Sequence, residues 1–169
     1  MVLYLLDADT LIRADSTYYP LKRFPVFWDW LHYHGNAGSV KIPQEQFDEI
    51  TAGKGELVDW LKEKSKKDDL LLAGAADPAL VRRVIDEGYA PDLNAMELVT
   101  VGQDPFLIAY ALVSVADRTV VSFETSAPSK QRANRKVPDV CQDLGAKCIT
   151  LFELIKGLDF TTSWARPQP

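Results

Sequence analysis

Several acidic residues of the chain follow segments whose composition predicts buried strands. Asp7 and Asp9 come directly after the apolar run at residues 2–6, and Glu124 follows the β-branched run at residues 119–123. Strands that are buried on both faces have continuous apolar sequences and belong to parallel sheets. Because ligands of open α/β sheets bind at the carboxyl ends of the strands, we expect these acids to lie together at a ligand-binding edge.

Asp104 is expected at the same edge. It precedes Pro105 and a strongly apolar helix, predicted at residues 106–115, that must pack directly on the sheet. A helix that follows a parallel strand normally starts at the carboxyl edge, so an N-cap residue there would face Asp7 and Glu124. Helix capping alone is also a sufficient reason for an aspartate at this position.

The fourth acid comes from a helix predicted at residues 44–51. Glu45, Asp48 and Glu49 compete for this role. Glu49 is preferred because it lies near the boundary of the apolar face, from which a side chain can reach the edge of the sheet. Two alternatives stay open, since Glu49 can be an ordinary surface residue and Glu124 can serve the turn after its strand.

A group of carboxylates at one point repels itself unless a cation lies among them. Hard divalent ions such as Mg²⁺ take oxygen ligands, and Mg²⁺ keeps several waters and binds substrate phosphates. One or two such ions can activate water for an in-line displacement at phosphorus. The sequence offers no Ser-His-acid arrangement or glycine-rich phosphate loop, and it has two histidines. A cluster that binds Mg²⁺ or Mn²⁺ is therefore the chemistry that these residues favour.

The elements that would carry these acids alternate along the chain. Strands are predicted at residues 2–6, 39–42, 119–123 and 147–150. Helices are predicted at residues 11–14, 24–33, 44–51, 55–66, 77–87, 91–98, 106–115, 138–144 and 151–155. Short strands separated by helices predict a three-layer α/β/α sandwich with a mostly parallel sheet. We expect one domain at residues 1–155 and a C-terminal tail at residues 156–169.

Composition places the chain among ordinary globular proteins. Of its 169 residues, 47% are hydrophobic and 25% are charged, with a formal net charge of −5, so the surface as a whole does not indicate nucleic-acid binding. Cys141 and Cys148 lack the spacing of a zinc site or a disulfide framework. We expect both to be small apolar fillers in a cytoplasmic protein, because the first residues enter a strand without a basic leader and the longest apolar stretch is too short to span a bilayer.

The order and spacing of these motifs resemble the PIN-domain nucleases, compact α/β/α metal-dependent enzymes that include many bacterial ribonuclease toxins. More closely, the chain looks like a bacterial PIN subfamily of unassigned function. The resemblance runs from residue 3 to about residue 155. The stretches that carry it are residues 5–12 (LLDADTLI), 18–20 (YYP), 24–30 (FPVFWDW), 47–50 (FDEI) followed by Gly53, 103–109 (QDPFLIA), 120–124 (VVSFE), 136–141 (KVPDVC) and 148–154 (CITLFEL).

The resemblance implies an endoribonuclease with four metal-binding acids and several supporting groups. The implied metal ligands are Asp7, Glu49, Asp104 and Glu124, and the implied supporting residues are Asp9, Thr10, Ser122 and Asp139, the last as a fifth acid. Two positions depart from the family pattern. Asp9 stands where relatives more often have a neutral residue such as Asn, and Glu124 replaces the usual aspartate. Both departures bear on how well the site binds metal.

The implied substrate is RNA, and a recessed acidic site favours single-stranded RNA. The polar loop at residues 126–136 is the expected phosphate-binding segment, with a solvated surface loop as the alternative. Its cations are Lys130, Arg132, Arg135 and Lys136. A toxin-like nuclease would also require a neutralising antitoxin protein, and PIN domains often form homodimers. No membrane partner is expected.

Two other functions remain open. Asp7 and Asp9 match the opening motif of haloacid-dehalogenase-type phosphatases, in which the first aspartate is the nucleophile and the second a general acid. Ser122 and Lys130 would fill further positions of that site, but no Gly-Asp pair follows them. The second alternative is a PIN module that binds RNA or protein without turnover, for which Asp9 and Glu124 leave room.

Overall fold

A computed structural model describes residues 1–165 of the chain. Its centre is a parallel sheet of four strands, which confirms the predicted kind of sheet, and the strand order is β2-β1-β3-β4. The strands are β1 Leu3–Leu6, β2 Val40–Lys41, β3 Arg118–Val121 and β4 Lys147–Ile149. In the register of the sheet, Leu5 lies opposite Lys41 on one side and Val120 on the other. The first strand is therefore central, with Asp7 at its carboxyl end.

Ten α-helices accompany the sheet within residues 1–165. They are α1 Ala8–Arg13, α2 Pro25–Asn36, α3 Gln44–Thr51, α4 Glu56–Lys62, α5 Lys64–Leu70, α6 Pro78–Arg83, α7 Ala95–Val101, α8 Asp104–Leu112, α9 Val137–Leu144 and α10 Leu151–Gly157. Two π-helical turns, Ala14–Tyr18 and Val84–Tyr89, extend α1 and α6. No helix of the described chain is long and apolar enough to cross a membrane.

The alternation of side chains along the strands creates two cores. Leu5 and Val120 belong to one cluster, beneath α8 and α9, whereas Leu6 and Val121 belong to the other, beneath α1, α2 and α10. Successive strand residues point to opposite faces of a sheet, so both faces are covered by helices. This arrangement confirms the three-layer α/β/α sandwich.

The helix predicted at residues 55–66 is two helices. The chain breaks at Glu63, whose ψ of 132° is extended, and α5 then turns toward α2. The break brings Leu70 into the core and pairs Leu71 with Ile42 by a single parallel bridge. Residues 62–69 contain no apolar residue, so the spacing of apolar residues could not locate this break.

The C-terminal segment packs onto the domain. Phe160 contacts the rings of Phe27 and Trp30, and Trp164 donates a hydrogen bond of 3.1 Å from its indole to the carbonyl of Val26. The tail predicted at residues 156–169 therefore begins as part of α10 and continues as packed chain. The part of that prediction that concerns residues 166–169 lies outside the described residues.

Candidate active site

Asp7 lies where the fold predicts a site, directly after the central strand and before α1. Its side chain is 6% exposed, and its carboxylate accepts a hydrogen bond of 2.8 Å from the hydroxyl of Ser122 at the end of β3. Burial raises the pKa of Asp7 to about 6, the Ser122 hydrogen bond opposes this rise, and the charges of Asp9 and Glu124 add to it. Ser122 therefore holds the Asp7 carboxylate in place.

Asp104 does not cap its helix. It is the first residue of α8, Gln103 occupies the N-cap position, and neither makes a side-chain capping hydrogen bond. Nor does the Asp104 carboxylate hydrogen-bond elsewhere within residues 1–165. Burial raises its pKa to about 8, and repulsion from Asp7, Glu124 and Glu49, in that order, contributes to the rise. The prediction of an N-cap was wrong, and the half-buried carboxylate is left free to bind a ligand.

Glu124 also lies at the carboxyl edge of the sheet, but both oxygens of its carboxylate already have partners in the protein. One oxygen accepts a hydrogen bond of 2.7 Å from the amide of Val137, at the start of α9, and the other lies 2.9 Å from the ammonium of Lys136. An anion at a helix N-terminus is stabilised by the orphan amides and the helix dipole. In this conformation Glu124 ties the loop before α9 to the end of β3.

Glu49 is at the rim of the site. It is exposed on α3, and its pKa is raised by partial burial and by the charge of Asp9. Asp9 itself is ion-paired with Arg13 one turn further along α1, at 2.7 Å. The charge of Asp9 is therefore partly neutralised by Arg13.

Two adjoining clefts open beside these acids. The larger, of about 630 Å³, lies between α3 and α7 and is lined by acids that include Glu45, Asp48 and Glu49. The smaller, of about 250 Å³, lies between α7 and the loop before α9 and includes Lys130 and Lys136 in its lining. Thr100 and Asp104 line both clefts. The two therefore form one groove with an acidic end and a basic end.

The four cations predicted to bind phosphate differ in the partners that their side chains have in the protein. Arg132 is engaged by Asp92 and Glu97, both at 2.7 Å, and Arg135 donates to the carbonyl of Gly88 and to Asp143. Their guanidinium groups hold the loop in place in this structure, and binding of phosphate by these two arginines stays a prediction.

The two lysines remain as candidates for phosphate binding. Lys130 is exposed and forms no ion pair within the described chain, and Lys136 reaches Glu124. Both line the smaller cleft.

The remaining supporting residues are structural in different ways. Thr10 is fully buried, and its hydroxyl donates to the carbonyl of Val121 at 3.2 Å, which joins α1 to β3. Asp139 accepts hydrogen bonds from the hydroxyl of Ser126 and from the amide of Ala127. Asp139 thus anchors the loop after β3, and its oxygens do not join the other acids as a fifth ligand.

Sequence reasoning missed two buried residues that carry polar groups, Gln46 and Tyr89. Gln46 of α3 is 1% exposed, and its amide donates 3.0 Å to the carbonyl of Gln103, which fixes the entry to α8. Tyr89 is 7% exposed, with a hydroxyl that has no partner in the described chain. The sequence signal for Gln46 was a glutamine on the apolar face of a predicted helix. Tyr89 had no such signal, because it follows Gly88, which had indicated only the end of a helix.

The acids are suitable ligands for a hard divalent cation, but they do not supply a complete set of ligands. Within residues 1–165 no three acidic, histidine or cysteine side chains are close enough to hold an ion together. Asp7 and Asp104, however, are sheltered carboxylates whose repulsion raises the pKa of Asp104, and a cation would relieve this repulsion. Mg²⁺ is commonly bound by one or two protein carboxylates together with water and phosphate oxygens. Asp7 and Asp104 would hold such an ion, and Glu49 and Glu124 are near enough to act through their charge.

Comparison with known proteins identifies one family. The family described as Domain of unknown function (DUF4411) matches residues 4–162. The chain belongs to this family. The match includes all of the sheet except Leu3, all the candidate acids and the segment that carries Phe160, so the DUF4411 region and the packed domain nearly coincide. Neither the curated proteins nor the solved structures contain a match to the chain.

Proposed function

We propose that the protein is a Mg²⁺- or Mn²⁺-dependent endoribonuclease that hydrolyses phosphodiester bonds of single-stranded RNA. The observation that carries the proposal is the pairing of Asp7 and Asp104 at the carboxyl edge of the sheet, with Asp104 free of any hydrogen bond within the described chain. Crowded carboxylates repel one another, and such perturbed groups are concentrated at functional sites.

Each residue has a role in this proposal. Asp7, held by Ser122, and Asp104 are the metal ligands, and Glu49 and Glu124 complete the negative field. The chemistry that a divalent ion supplies in such a site is activation of water and charge stabilisation for an in-line displacement at phosphorus. Lys130 and Lys136 stand at the basic end of the groove, where they would bind the phosphates of the strand.

RNA as the substrate is inferred from the resemblance to PIN-domain nucleases. The groove is compatible with a single strand, because it is recessed and has a basic side along which a backbone can run. A cytoplasmic location, an antitoxin protein that neutralises the enzyme, and a homodimer belong to the same proposal. The phosphatase alternative draws no support from Asp9, whose carboxylate is paired with Arg13.

The test is cleavage of single-stranded RNA by the purified protein in Mn²⁺. Asp7→Asn and Asp104→Asn should each abolish cleavage, because each removes a charged metal ligand while the side-chain shape is kept. Asp29→Asn is the matched control, since Asp29 is exposed on α2, away from the groove. Cleavage that survives both Asp7→Asn and Asp104→Asn would refute the proposal. Phosphate trapped covalently on Asp7 would favour the phosphatase instead.

A further inference from the structure

Three aromatic rings, which we call the aromatic cluster, meet at the carboxyl edge of the sheet. The rings of Tyr18 and Phe123 stack with their centroids 5.2 Å apart, and the ring of Phe152 meets them at steep angles, 5.1 and 5.5 Å away. Phe123 follows the end of β3, and Phe152 is the second residue of α10, which follows β4. Tyr18 ends the π-helical turn after α1. The cluster therefore joins three segments at the edge that carries the candidate acids.

Two of these rings are largely open to solvent. Tyr18 is 43% exposed and Phe152 is 45% exposed, whereas Phe123 is partly buried against the core beneath α1, α2 and α10. Exposed apolar side chains that occur singly are ordinary, but contiguous ones mark binding surfaces. Packing against the core accounts for Phe123, and it leaves the outer surfaces of Tyr18 and Phe152 available to a ligand.

The cluster borders the candidate active site through Phe123. This residue lies between Ser122, whose hydroxyl donates to Asp7 at 2.8 Å, and Glu124, which lines the smaller cleft together with Asp104. Successive residues of an extended chain point to opposite sides. Ser122 therefore faces the acids on one side of the sheet edge, and Phe123 faces α1 and α10 on the other. A strand that leaves the smaller cleft over this segment would meet the cluster directly.

The size and surroundings of the cluster favour a nucleobase over a protein. Ser16 and Thr17, which precede Tyr18, are exposed polar residues, and so is Glu153, which follows Phe152. A stable protein interface buries roughly 800 Å² on each partner around an apolar centre, whereas two half-exposed rings bordered by polar residues offer much less. One or two rings are enough for a base, because every base has an aromatic face.

The groove and the cluster together have the two parts that a single-strand binding surface needs. Proteins that bind single strands combine a positively charged groove for the backbone with aromatic side chains on which bases stack. The smaller cleft supplies Lys130 and Lys136, and the cluster supplies the rings. We propose that the aromatic cluster stacks an unpaired base of the RNA whose phosphates occupy the groove. The inference rests on the proposed function, because it assigns the base-binding part of the same site.

Tyr18→Leu and Phe152→Leu test the inference, since leucine keeps the apolar packing and removes the aromatic face. Loss of one base stack typically weakens binding about tenfold. We expect this loss for each variant in fluorescence anisotropy of the full chain with a short labelled single-stranded RNA, in Ca²⁺, with the RNA shown to be intact on a gel. Affinity for inorganic polyphosphate, which has the charge but no bases, should not change.

Two control variants separate the ring from its surroundings. Tyr18→Phe keeps the ring and should bind RNA like the wild type. Tyr33→Leu is the matched control, because Tyr33 is 55% exposed near the end of α2 that leads to the amino end of β2. A second measurement uses the wild-type chain and does not depend on the folding of a variant: RNA that contains photoreactive thiouridine should crosslink to peptides that carry Tyr18 or Phe152.

The outcomes separate this inference from the proposed function. RNA affinity that is unchanged in both leucine variants, or crosslinks confined to other peptides, overturns the role of the cluster even if the wild type cleaves RNA in Mn²⁺. Cluster-dependent RNA binding without cleavage in Mn²⁺ overturns the proposed function alone. A wild type that does not bind RNA overturns both. A dimer that Tyr18→Leu dissociates, with RNA affinity unchanged, assigns the cluster to a contact between two copies of the chain and overturns its role in RNA binding.

Discussion

Asp104→Asn is expected to stabilise the metal-free protein while it removes activity. The unfolded chain ionises Asp104 near the ordinary pKa of 3.8, whereas the folded chain retains the proton up to about 8. The folded state therefore binds more protons throughout this interval, and the stability of the wild type falls as the pH rises through it. Asn carries no charge at any of these pH values, so the variant does not show this loss.

The magnitude follows from the same pKa. Each pH unit corresponds to about 1.4 kcal/mol, which sets an upper bound of about 6 kcal/mol on the free energy of ionising Asp104 in the fold. Asp104 is half-buried and is partly open to water, and its repulsion from Asp7 weakens whenever Asp7 holds its own proton. We therefore expect Asp104→Asn to raise the free energy of unfolding by about 1–3 kcal/mol at about pH 9, and to leave it unchanged at about pH 4.

The assay is urea denaturation followed by circular dichroism, in chelator, at both pH values. Asp29→Asn is the control, because it makes the same chemical change at an exposed position. Added Mn²⁺ should then stabilise the wild type at about pH 9 by mass action and stabilise Asp104→Asn less. A variant that is less stable than the wild type at that pH without metal would refute the reasoning, since the Asp104 carboxylate would then have a favourable partner in the fold.

Three further outcomes follow from contacts around the site. Ser122→Ala should raise the pKa of Asp7 further, because it removes the hydrogen bond that favours the carboxylate, and carboxyl NMR titration measures this change. Gly88→Ala should lower the free energy of unfolding by about 1–3 kcal/mol in urea denaturation, because its Cβ overlaps Val140. Arg132→Gln should accelerate hydrogen exchange of the α7 amides, because it releases that helix from the loop; unchanged exchange would contradict the role given to Arg132.

The spacing of apolar residues in the sequence was sufficient to predict the main strands and several of the helices. The apolar run before Asp7 and the β-branched run before Glu124 predicted parallel strands with acids at one edge, and α3 has the predicted bounds Gln44–Thr51. The metal-binding role of these acids stays a prediction. Strand direction and helix faces follow from local chemistry, so one sequence reveals them.

Contacts between distant segments were not predictable in the same way. The ion pairs of Arg132 were not predicted, because its partners, Asp92 and Glu97, are far from it in the sequence. Asp104 looked like a cap because Asp-Pro is a common helix start, but the backbone places Gln103 at the N-cap. Both cases concern where a charged side chain points, and tertiary packing decides this.

The pairing of Arg132 across the groove has a consequence for measurements of ionic strength. Arg132 joins the loop that carries Lys130 to Glu97 of α7, and both elements line the smaller cleft. Exposed ion pairs are screened as salt is added, so the width of the cleft should itself depend on salt. Binding of RNA also weakens with salt, because counterions are released from the phosphates. The slope of a plot of RNA affinity against salt concentration would therefore include both effects. The number of phosphate contacts calculated from that slope would be too high.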